Sequence, residues 1–474
     1  MPKFPSLLAS LLASLVVCAP AQGAKVSGAD QRKAVSITVY NGGFGLVREV
    51  RDVNLGSGRV ALEFRDVASQ IQPETVAIKS LTGANALSVL EQNYRYDLLT
   101  PAKLLEKYVG KNVRLYRFNE KTGKDQIYDA KILSVADGQP VYEIGGEVTY
   151  GFPGRVAFPG VPENLMSKPT LVWMLSSQRA QQQVEATYLT RGLGWKSDYV
   201  FVINANDSAG DLTGWVTLTN NSGASYKNAR LKLVAGDVQR VSDVSLPMGG
   251  AEREKREVDE DDSGFREESF FEYHLYTLGR PADVLENEQK QVTLLEAPGA
   301  KVQKKLIYYG QQYWYRGRYG EVQKNQKVGV YLDIDNSKKN GLGMPLPKGI
   351  VRVYKADKSG AKQFIGEDSI DHTPVDEKVR IKMGDAFDVV GDRKQMSWRA
   401  YGSCTSESSW EIELRNHKKQ AAQVEVFEPI GGDWTVLEES HPHHKKDAFT
   451  FTFDVKVPAN GKTKISYRVR VRWC

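Results

Sequence analysis

Residues 186–239 read ATYLTRGLGWKSDYVFVINANDSAGDLTGWVTLTNNSGASYKNARLKLVAGDVQ. Apolar and polar residues alternate there in short runs, and Gly, Asn and Asp separate these runs, with Trp195 and Trp215 at the edges of turns. A period of two residues bounded by turn residues is typical of antiparallel strands with one buried face. The stretch therefore predicts an extracytoplasmic β-sandwich, and it contains no motif that indicates a reaction.

Three copies of one pattern extend this prediction towards the C-terminus. In each copy two apolar residues alternate along a strand that ends on asparagine, and a polar loop leads to a second alternating strand. Asparagine suits the end of a strand because its side chain can close a turn. The pattern predicts a mainly β fold with multiple antiparallel β-sandwich units of the Ig-like or Greek-key type. The first strands carry Val216, Leu218 and Asn220; Leu332, Ile334 and Asn336; and Ile412, Leu414 and Asn416, and the second strands carry Leu231 and Leu233; Val351 and Val353; and Val424 and Val426.

One segment between these β regions has a different pattern. Thr100 can cap a short helix whose first residue is Pro101, and Leu104, Leu105 and Tyr108 form its apolar stripe. Compact alternating runs with Gly turns follow up to residue 152. We therefore expect a small inserted β-barrel-like module preceded by a short helix.

The chain divides into six predicted segments. The boundary between the fourth and fifth segments depends on the run EREKREVDEDD at 252–262, which is too charged to bury an apolar face. The segments are a signal peptide at 1–24, an N-terminal β region at 25–98, the short helix and small barrel-like module at 99–166, a first β-sandwich unit at 167–240, a charged linker with connecting strands at 241–300, and a C-terminal β-sandwich region at 301–474.

The N-terminal residues have the layout of a secretory signal peptide. One positive charge at Lys3 precedes an apolar run from Leu7 to Val17, and small residues place the cleavage near Ala21 to Ala24. The apolar run is shorter than the ~20 residues that a bilayer requires, so we expect no membrane span in the mature chain. The expected location is the periplasm, the cell surface or the extracellular space.

Two cysteines remain after this cleavage, Cys404 and Cys474. In an oxidising compartment the simplest expectation is one disulfide between them, and two free thiols are the alternative. Loss of Lys3 lowers the net charge from +6 to +5. A charge this small over such a length does not indicate a nucleic-acid partner.

The segment 308–319, YYGQQYWYRGRY, is the strongest candidate for a ligand- or partner-binding surface. Aromatic faces pack on sugar rings or on a protein partner at low entropy cost, and arginine adds directional hydrogen bonds. The alternative is a hairpin whose alternate aromatic residues belong to the core. Six aromatic residues exceed what one buried face accommodates, so we expect part of the segment to be exposed. The candidate residues are Tyr308, Tyr309, Tyr313, Trp314, Tyr315, Arg316, Arg318 and Tyr319.

Enzyme motifs are absent from the sequence: we find no Gly-x-Ser-x-Gly, His-Glu-x-x-His, Walker loop or Cys-x-x-Cys. Asp371 and His372 stand near Asp376, Glu377 and other carboxylates, which would support acid–base chemistry if they met in a cleft. The alternative is the charged rim of a hairpin. We assign no catalytic residue and no cofactor.

The segment HPHH at 441–444 is a candidate metal-binding segment. Closely spaced imidazoles can bind a divalent metal. Pro442 and the following Lys445 and Lys446 suit an exposed turn better, so we assign no metal site.

The last strand alternates with unusual regularity. Its basic face offers a surface for a polyanionic polysaccharide or lipid headgroups, but pairing across strands with Glu411 and Glu413 requires no ligand and is favoured. If these two strands are antiparallel neighbours, Cys404 and Cys474 meet at one end of the sheet. One face carries Ile465, Tyr467, Val469, Val471 and Trp473, and the other carries Lys464, Ser466, Arg468, Arg470 and Arg472.

Several sequence blocks resemble those of bacterial exported proteins that carry the domain of unknown function DUF4139, which are related to the mucoidy-inhibitor-like family. The blocks are GLGWKSDY, LTNNSGASYKNARLKLVAGDV, NGLGMPLPKGIVRVYK, FIGEDSIDHTPVDEKVRIKMGDAFDVVGDRK and ELRNHKK, in this order. The resemblance extends from about Pro169 to the C-terminus. It implies an exported all-β protein of unsettled biochemical role and provides no catalytic residues. The segment 308–319 and HPHH depart from these blocks.

These observations favour an exported non-enzymatic protein that binds an envelope protein or polysaccharide through the segment 308–319. A hydrolase or lyase that uses Asp371 and His372 is the first alternative. A structural envelope scaffold is the second.

Overall fold

The computed structural model describes residues 24–136, 138–162, 165–236, 238–239 and 265–474. The predicted signal peptide, up to residue 23, and the charged run at 252–262 lie outside the described residues. Strands predominate throughout the described ranges, so the predicted mainly β fold is confirmed. In the described part of the chain we find no helix long and apolar enough to cross a membrane.

The strands of the first part of the chain are mostly 3–11 residues long, and one α-helix interrupts them. They are β1 (Lys25–Ser27), β2 (Arg32–Tyr40), β3 (Phe44–Asn54), β4 (Gly58–Arg65), β5 (Ala77–Ser80), β6 (Leu87–Arg95), α1 (Pro101–Lys107), β7 (Asn112–Asn119), β8 (Lys124–Ala136), β9 (Gln139–Ile144), β10 (Glu147–Tyr150), β11 (Arg155–Ala157), β12 (Thr170–Ser177) and β13 (Gln181–Arg191).

The later strands include three long ones, β20, β21 and β24. They are β14 (Leu193–Ile203), β15 (Ala209–Asn220), β16 (Tyr226–Ala235), β17 (Phe265–Phe270), β18 (Tyr273–Leu278), β19 (Ala282–Val284), β20 (Glu288–Tyr309), β21 (Glu321–Asp335), β22 (Gly349–Ala356), β23 (Lys362–Ile370), β24 (Lys378–Tyr401), β25 (Thr405–Asn416), β26 (Ala422–Pro429), β27 (Asp433–Glu439), β28 (His443–Asp447), β29 (Thr450–Val457) and β30 (Gly461–Arg472).

Two compact units result. The first comprises Met1–Val35, Leu46–Thr190 and Ser222–Ala224, and the second comprises Ser36–Gly45, Arg191–Asn221 and Ser225–Cys474. In the first unit, β1, β4, β12 and β6 form one sheet, and β3, β13 and β5 are neighbours in another.

The helix and the small module of the first unit lie as predicted. The Thr100 side chain accepts a hydrogen bond from the Lys103 amide (3.2 Å), and Pro101 is the first residue of α1. The five strands that follow pair in the order β10-β9-β8-β7-β11 around a small apolar core. Among the described strands, β10 pairs only with β9 and β11 only with β7, so this sheet is open rather than a closed barrel.

The second unit is organised around a long ladder of strands, β23-β22-β14-β15-β20-β21-β24-β25-β30-β27. Strand β20 is continuous across the predicted boundary at residue 300: its first part pairs with β15 and its last part with β21 and β26. Trp195 and Trp215 lie within β14 and β15 and not at turn edges as predicted, because these two strands pair along their whole length.

A second layer, β26-β29-β28, covers the C-terminal end of this ladder and forms a sandwich with it. Alternate residues of β25, β26, β29 and β30 meet in one apolar core, in which Ile412, Val424, Phe453 and Val469 have no exposed surface. In a β-sandwich, alternate residues of both layers point inward and form the core between the layers, as they do here. The predicted sandwich architecture is therefore present here.

The three predicted strand-end asparagines are buried and bind backbone carbonyl groups of distant loops. Asn220 donates to Val284 O (3.2 Å). Asn336 donates to Met344 O (2.9 Å) and Pro374 O (2.8 Å). Asn416 donates to Gln420 O (2.8 Å) and Pro458 O (3.0 Å). The buried amide of each asparagine thus finds its hydrogen-bond partners in the backbone that follows or adjoins its strand, so its role is to fix the connection to the next strand.

Asn336→Ala should therefore lower the free energy of unfolding by about 2–3 kcal/mol, because the fully buried Asn336 side chain makes several hydrogen bonds that the variant loses. Chemical denaturation measures this change. Asn340→Ala is the matched control: Asn340 also donates to two carbonyls, Lys301 O and Asp335 O, but in a solvent-exposed setting where water replaces it. Equal losses for the two variants would contradict the burial argument.

The strand pairing predicted at the C-terminus is confirmed. Strands β25 and β30 are antiparallel neighbours along twelve residues, from Thr405 opposite Arg472 to Asn416 opposite Gly461. Lys464 forms ion pairs with Glu411 (3.0 Å) and Glu413 (3.8 Å). Cys404 and Cys474 lie at disulfide distance at one end of the sheet, with their Cα atoms 5.6 Å apart.

Candidate functional site

The structure divides the aromatic segment 308–319 into a buried part and an exposed part. Tyr308 and Tyr309 end strand β20, and residues Gln312–Arg316 form a short 3₁₀ helix that reverses the chain before β21. Tyr308, Trp314 and Tyr315 are buried, and Tyr309 is half-buried. The four other predicted residues are exposed: Tyr313, Arg316, Arg318 and Tyr319.

The buried part surrounds a salt bridge between Arg393 and Glu428, whose side chains have no exposed surface. The guanidinium donates from Nη2 to Glu428 Oε1 (2.5 Å) and from Nη1 to Glu428 Oε2 (2.9 Å). The Tyr315 hydroxyl donates to Glu428 Oε2 (2.7 Å) and lies 2.8 Å from the Tyr467 hydroxyl. This bidentate arrangement with an added hydroxyl is what a buried ion pair needs to offset its desolvation.

Aromatic rings enclose the Arg393 guanidinium. Its Cζ lies 4.8 Å from the Trp314 ring, 5.4 Å from the Tyr308 ring and 5.8 Å from the Trp410 ring. Close packing here depends on Gly310, because a Cβ at that position would collide with the Glu428 carboxylate. Tyr308 and Trp314 therefore serve the core of the sandwich and cannot contact a ligand.

Burial controls the protonation of this cluster. Burial raises the pKa of Tyr308 to about 12 and raises the pKa of Tyr315 and of Tyr467 well above the ordinary value, with the Glu428 carboxylate adding to both. Burial alone would lower the pKa of Arg393, but the Glu428 charge, its hydrogen bonds and the neighbouring tyrosines together outweigh burial, so that this pKa is well above the ordinary value. The hydroxyls thus stay neutral and the arginine stays charged at physiological pH.

Sequence reasoning missed Arg393 and Glu428, although a signal for both exists. Glu428 follows Val424 and Val426 at a spacing of two, and Arg393 follows Val389 and Gly391 in the same way, so strand alternation places both on the buried face. A charged residue at a core position indicates a buried partner.

The exposed part of the segment adjoins an open groove at the end of the C-terminal sandwich. Arg316 connects the segment to this groove, because its guanidinium lies 4.6 Å from the centre of the Trp473 ring. We call this cavity, with a volume of about 450 Å³, the C-terminal groove. The residues that determine its chemistry are Asp433, Trp434, Lys445, Phe449, Arg472 and Trp473.

Strands of both layers build the walls of the C-terminal groove. Trp434 stands near the start of β27 and packs against Phe451 of the other layer, with ring centres 5.1 Å apart. Lys445 of β28 lies over the Trp434 ring at 5.4 Å. Phe449, in the turn after β28, exposes 59% of its surface. The groove therefore has two indole rings, each with a cation over one face, and one phenyl ring that is largely exposed.

The Trp473 wall is held by three contacts at the end of β30. Its backbone N–H donates to Cys404 O (2.7 Å), and its indole N–H donates to Ser406 Oγ (3.2 Å). The neighbouring Cys474 lies at disulfide distance from Cys404. These contacts fix the indole plane without using the face that Arg316 covers.

The carboxylates around Asp371 and His372 do not gather in a cleft. Asp371, Asp376 and Glu377 are exposed on the connection between β23 and β24, and the half-buried His372 accepts a hydrogen bond at Nδ1 from the Lys348 amide (3.2 Å). In the described ranges no group of three or more His, Cys, Asp and Glu side chains is close enough to hold a metal ion.

The histidine segment divides between a connection and an edge strand: His441 and Pro442 lie between β27 and β28, as predicted for a turn, whereas His443 and His444 begin β28. Residues His443–Asp447 pair with β29, and the His443 Nδ1 lies 2.6 Å from Glu439 Oε2. His444 points to Asp454 at 3.7 Å. Because the ladder hydrogen bonds order this segment, Lys445 is presented at a fixed position beside Trp434.

The fold defines a mainly β protein of several sheets with sandwich units. A family model, described as a domain of unknown function (DUF4139), matches residues 184–474, which is more than half of the chain. The chain belongs to this family. The resemblance of the sequence blocks to DUF4139 is thereby confirmed, although the match begins at residue 184 and not near Pro169. The bacterial origin, the export and the relation to the mucoidy-inhibitor-like family stay predictions. No curated protein matches the chain.

Proposed function

We propose that this chain is an exported bacterial protein, related to the mucoidy-inhibitor-like family, that binds a cell-envelope polysaccharide or envelope protein without catalysis. The C-terminal groove and the adjoining exposed residues of segment 308–319 form its binding surface. The observation that carries this proposal is the pairing of two half-buried indoles with cations at an open groove: Trp434 with Lys445, and Trp473 with Arg316.

The groove has the properties of a ligand site. Its volume of about 450 Å³ falls within the ~300–1,000 Å³ typical of small-ligand sites. Fixed aromatic faces accept the apolar faces of sugar rings or a partner's side chains at low entropy cost. Among the described residues, Asp433 is the one carboxylate side chain in the lining and no histidine side chain lines the groove with it, which supports a binding role over acid–base chemistry there.

Two observations support the exported location. The signal-peptide pattern of the N-terminal residues is that of secretion. The two cysteines left after cleavage lie at disulfide distance, and such pairs persist in oxidising compartments.

Phe449→Ala and Arg316→Ala should each weaken binding about two- to tenfold, because each removes one aromatic or cation–aromatic contact with the ligand. Binding is measured by capture of isolated envelope polysaccharide and envelope protein fractions on the immobilised protein. Trp314→Ala is unsuitable as a probe, because Trp314 packs against the buried Arg393 and its loss would damage the core.

Phe387→Ala is the matched control, since Phe387 exposes 96% of its surface and does not line the groove. Unchanged capture by the Phe449 and Arg316 variants would contradict the proposed binding surface. Turnover of a glycan or ester that His372→Ala abolishes would favour the hydrolase or lyase. Stable oligomers without any captured ligand would favour the scaffold.

A further inference from the structure

We infer that the ligand of the C-terminal groove is an acidic polysaccharide, whose carboxylates bind Lys445 and Arg472 while its sugar rings pack on the groove's aromatic residues. This inference rests on the proposed function and names the class of ligand.

The first support is a contrast along strand β30. Its outward side chains form ion pairs one after another: Lys464 with Glu411, Arg468 with Glu438 and Arg470 with Glu407. Arg472 is the next outward residue and lines the groove. Within the described residues it has no carboxylate side chain within ion-pair distance, although Asp433 stands opposite it in the strand register. Ion pairs therefore neutralise the basic face of β30 as far as Arg470. Arg472, at the groove, keeps its positive charge.

The second support is the state of the other cations. Lys445 and Arg316 contact aromatic rings and, in the described part of the chain, have no ion-pair partner. A ring face does not neutralise a cation, and it leaves the N–H donors at the edge free for an acceptor. With Arg316 beside Trp473, three cations thus stand at the groove, Lys445, Arg472 and Arg316, against two carboxylates, the side chain of Asp433 and the terminal carboxylate of Cys474. The surplus is positive and suits an anion.

The third support distinguishes a glycan from an acidic protein. The cations do not stand alone: the aromatic side chains of Trp434, Phe449 and Trp473 line the same groove. A polymer of acidic sugars presents a ring with an apolar face and a carboxylate in every repeat, which matches a lining that contains both aromatic rings and cations. An acidic peptide would use the cations but not the indole and phenyl faces to the same extent. The geometry therefore favours the acidic glycan.

Calorimetric titration of the full mature chain with defined polymers tests the inference. The probes are polygalacturonate, the same polymer after reduction of its carboxyl groups, and poly-glutamate. We expect polygalacturonate to bind and the reduced polymer to bind at least tenfold more weakly. Lys445→Gln/Arg472→Gln should lower the affinity for polygalacturonate about tenfold or more, because a hydrogen bond to a charged group contributes that much.

Lys358→Gln/Lys419→Gln is the matched control: both lysines are exposed and neither lines the groove. It removes the same number of charges, so an equal loss in this variant would reduce the effect to net charge and overturn the inference. Equal binding of the reduced and unreduced polymers would overturn it while leaving the proposed function intact. Preference for poly-glutamate, insensitive to Phe449→Ala, would overturn it in favour of an acidic protein. Failure of every glycan and of envelope capture would overturn both.

Discussion

Replacing Glu428 with leucine should lower the free energy of unfolding of the second unit by about 3–5 kcal/mol. The substitution leaves Arg393 charged inside the sandwich, where neither side chain of the pair has any exposed surface. A guanidinium keeps its proton inside proteins, so Arg393 does not escape its burial by becoming neutral. Tryptophan fluorescence during chemical denaturation measures the loss, since Trp314 and Trp410 border the cluster.

Glu438→Leu is the matched control for this prediction. Glu438 also forms an ion pair with an arginine, Arg468, but both side chains are exposed, by 67% and 41%. An exposed pair of this kind contributes less than about 1 kcal/mol. Similar losses in the two variants would show that burial of Glu428 does not determine its contribution.

The double variant Arg393→Met/Glu428→Leu should recover most of the stability that Glu428→Leu loses. Both charges then leave the core together, and the Tyr315 and Tyr467 hydroxyls keep each other as partners. A double variant no more stable than the single one would show that the arginine supports the core by its shape and its contacts with the aromatic rings rather than through its charge.

Removal of the cysteine pair should have the second large effect. Cys404→Ser/Cys474→Ser is expected to lower the free energy of unfolding by about 4 kcal/mol, from the chain entropy of a closed loop of 70 residues. This loop contains most of β25 to β30, so the bond constrains the unfolded form of the whole C-terminal sandwich. Denaturation of the oxidised parent and of the variant measures the difference.

A reductant provides the control for the cysteine prediction. It should shift the unfolding transition of the parent to that of the double variant and should leave the double variant unchanged. A parent that does not respond to reductant would contradict the predicted bond. The cysteine variant should also bind ligand more weakly at the groove, because loss of the bond leaves Trp473 less firmly held. We expect this loss of affinity to exceed what the smaller fraction of folded protein at the assay temperature explains.

The local pattern of residues was sufficient to predict several elements of this fold. Strand alternation predicted the pairing of the Arg468 strand with that of Glu411, and with it the meeting of Cys404 and Cys474. The cap at Thr100 and Pro101 predicted the start of the helix. These features depend on neighbours in the sequence, or on one pair of strands with complementary charges, and a single chain displays them directly.

The aromatic segment shows where this reasoning stops. Its composition indicated that some of its rings are exposed, but not which ones. Tyr315 is buried because Glu428 and Tyr467, far away in sequence, meet it in the sandwich, whereas Tyr313 two residues earlier has 56% of its surface exposed. The alternation of residues along a strand shows which side chains share a face. Which of the two faces is buried depends on the strand that packs against it in the folded protein.

By itself, the sequence determined that the chain is mainly β, that asparagines end three of its strands, and that it belongs with the DUF4139 proteins. Only the tertiary structure decided the groove, because Trp434, Phe449 and Trp473 come from different strands and turns of two layers. No local pattern shows that Arg470 has an ion-pair partner while Arg472 has none among the described residues. That difference arises because Glu407 lies beside one arginine and an open groove beside the other.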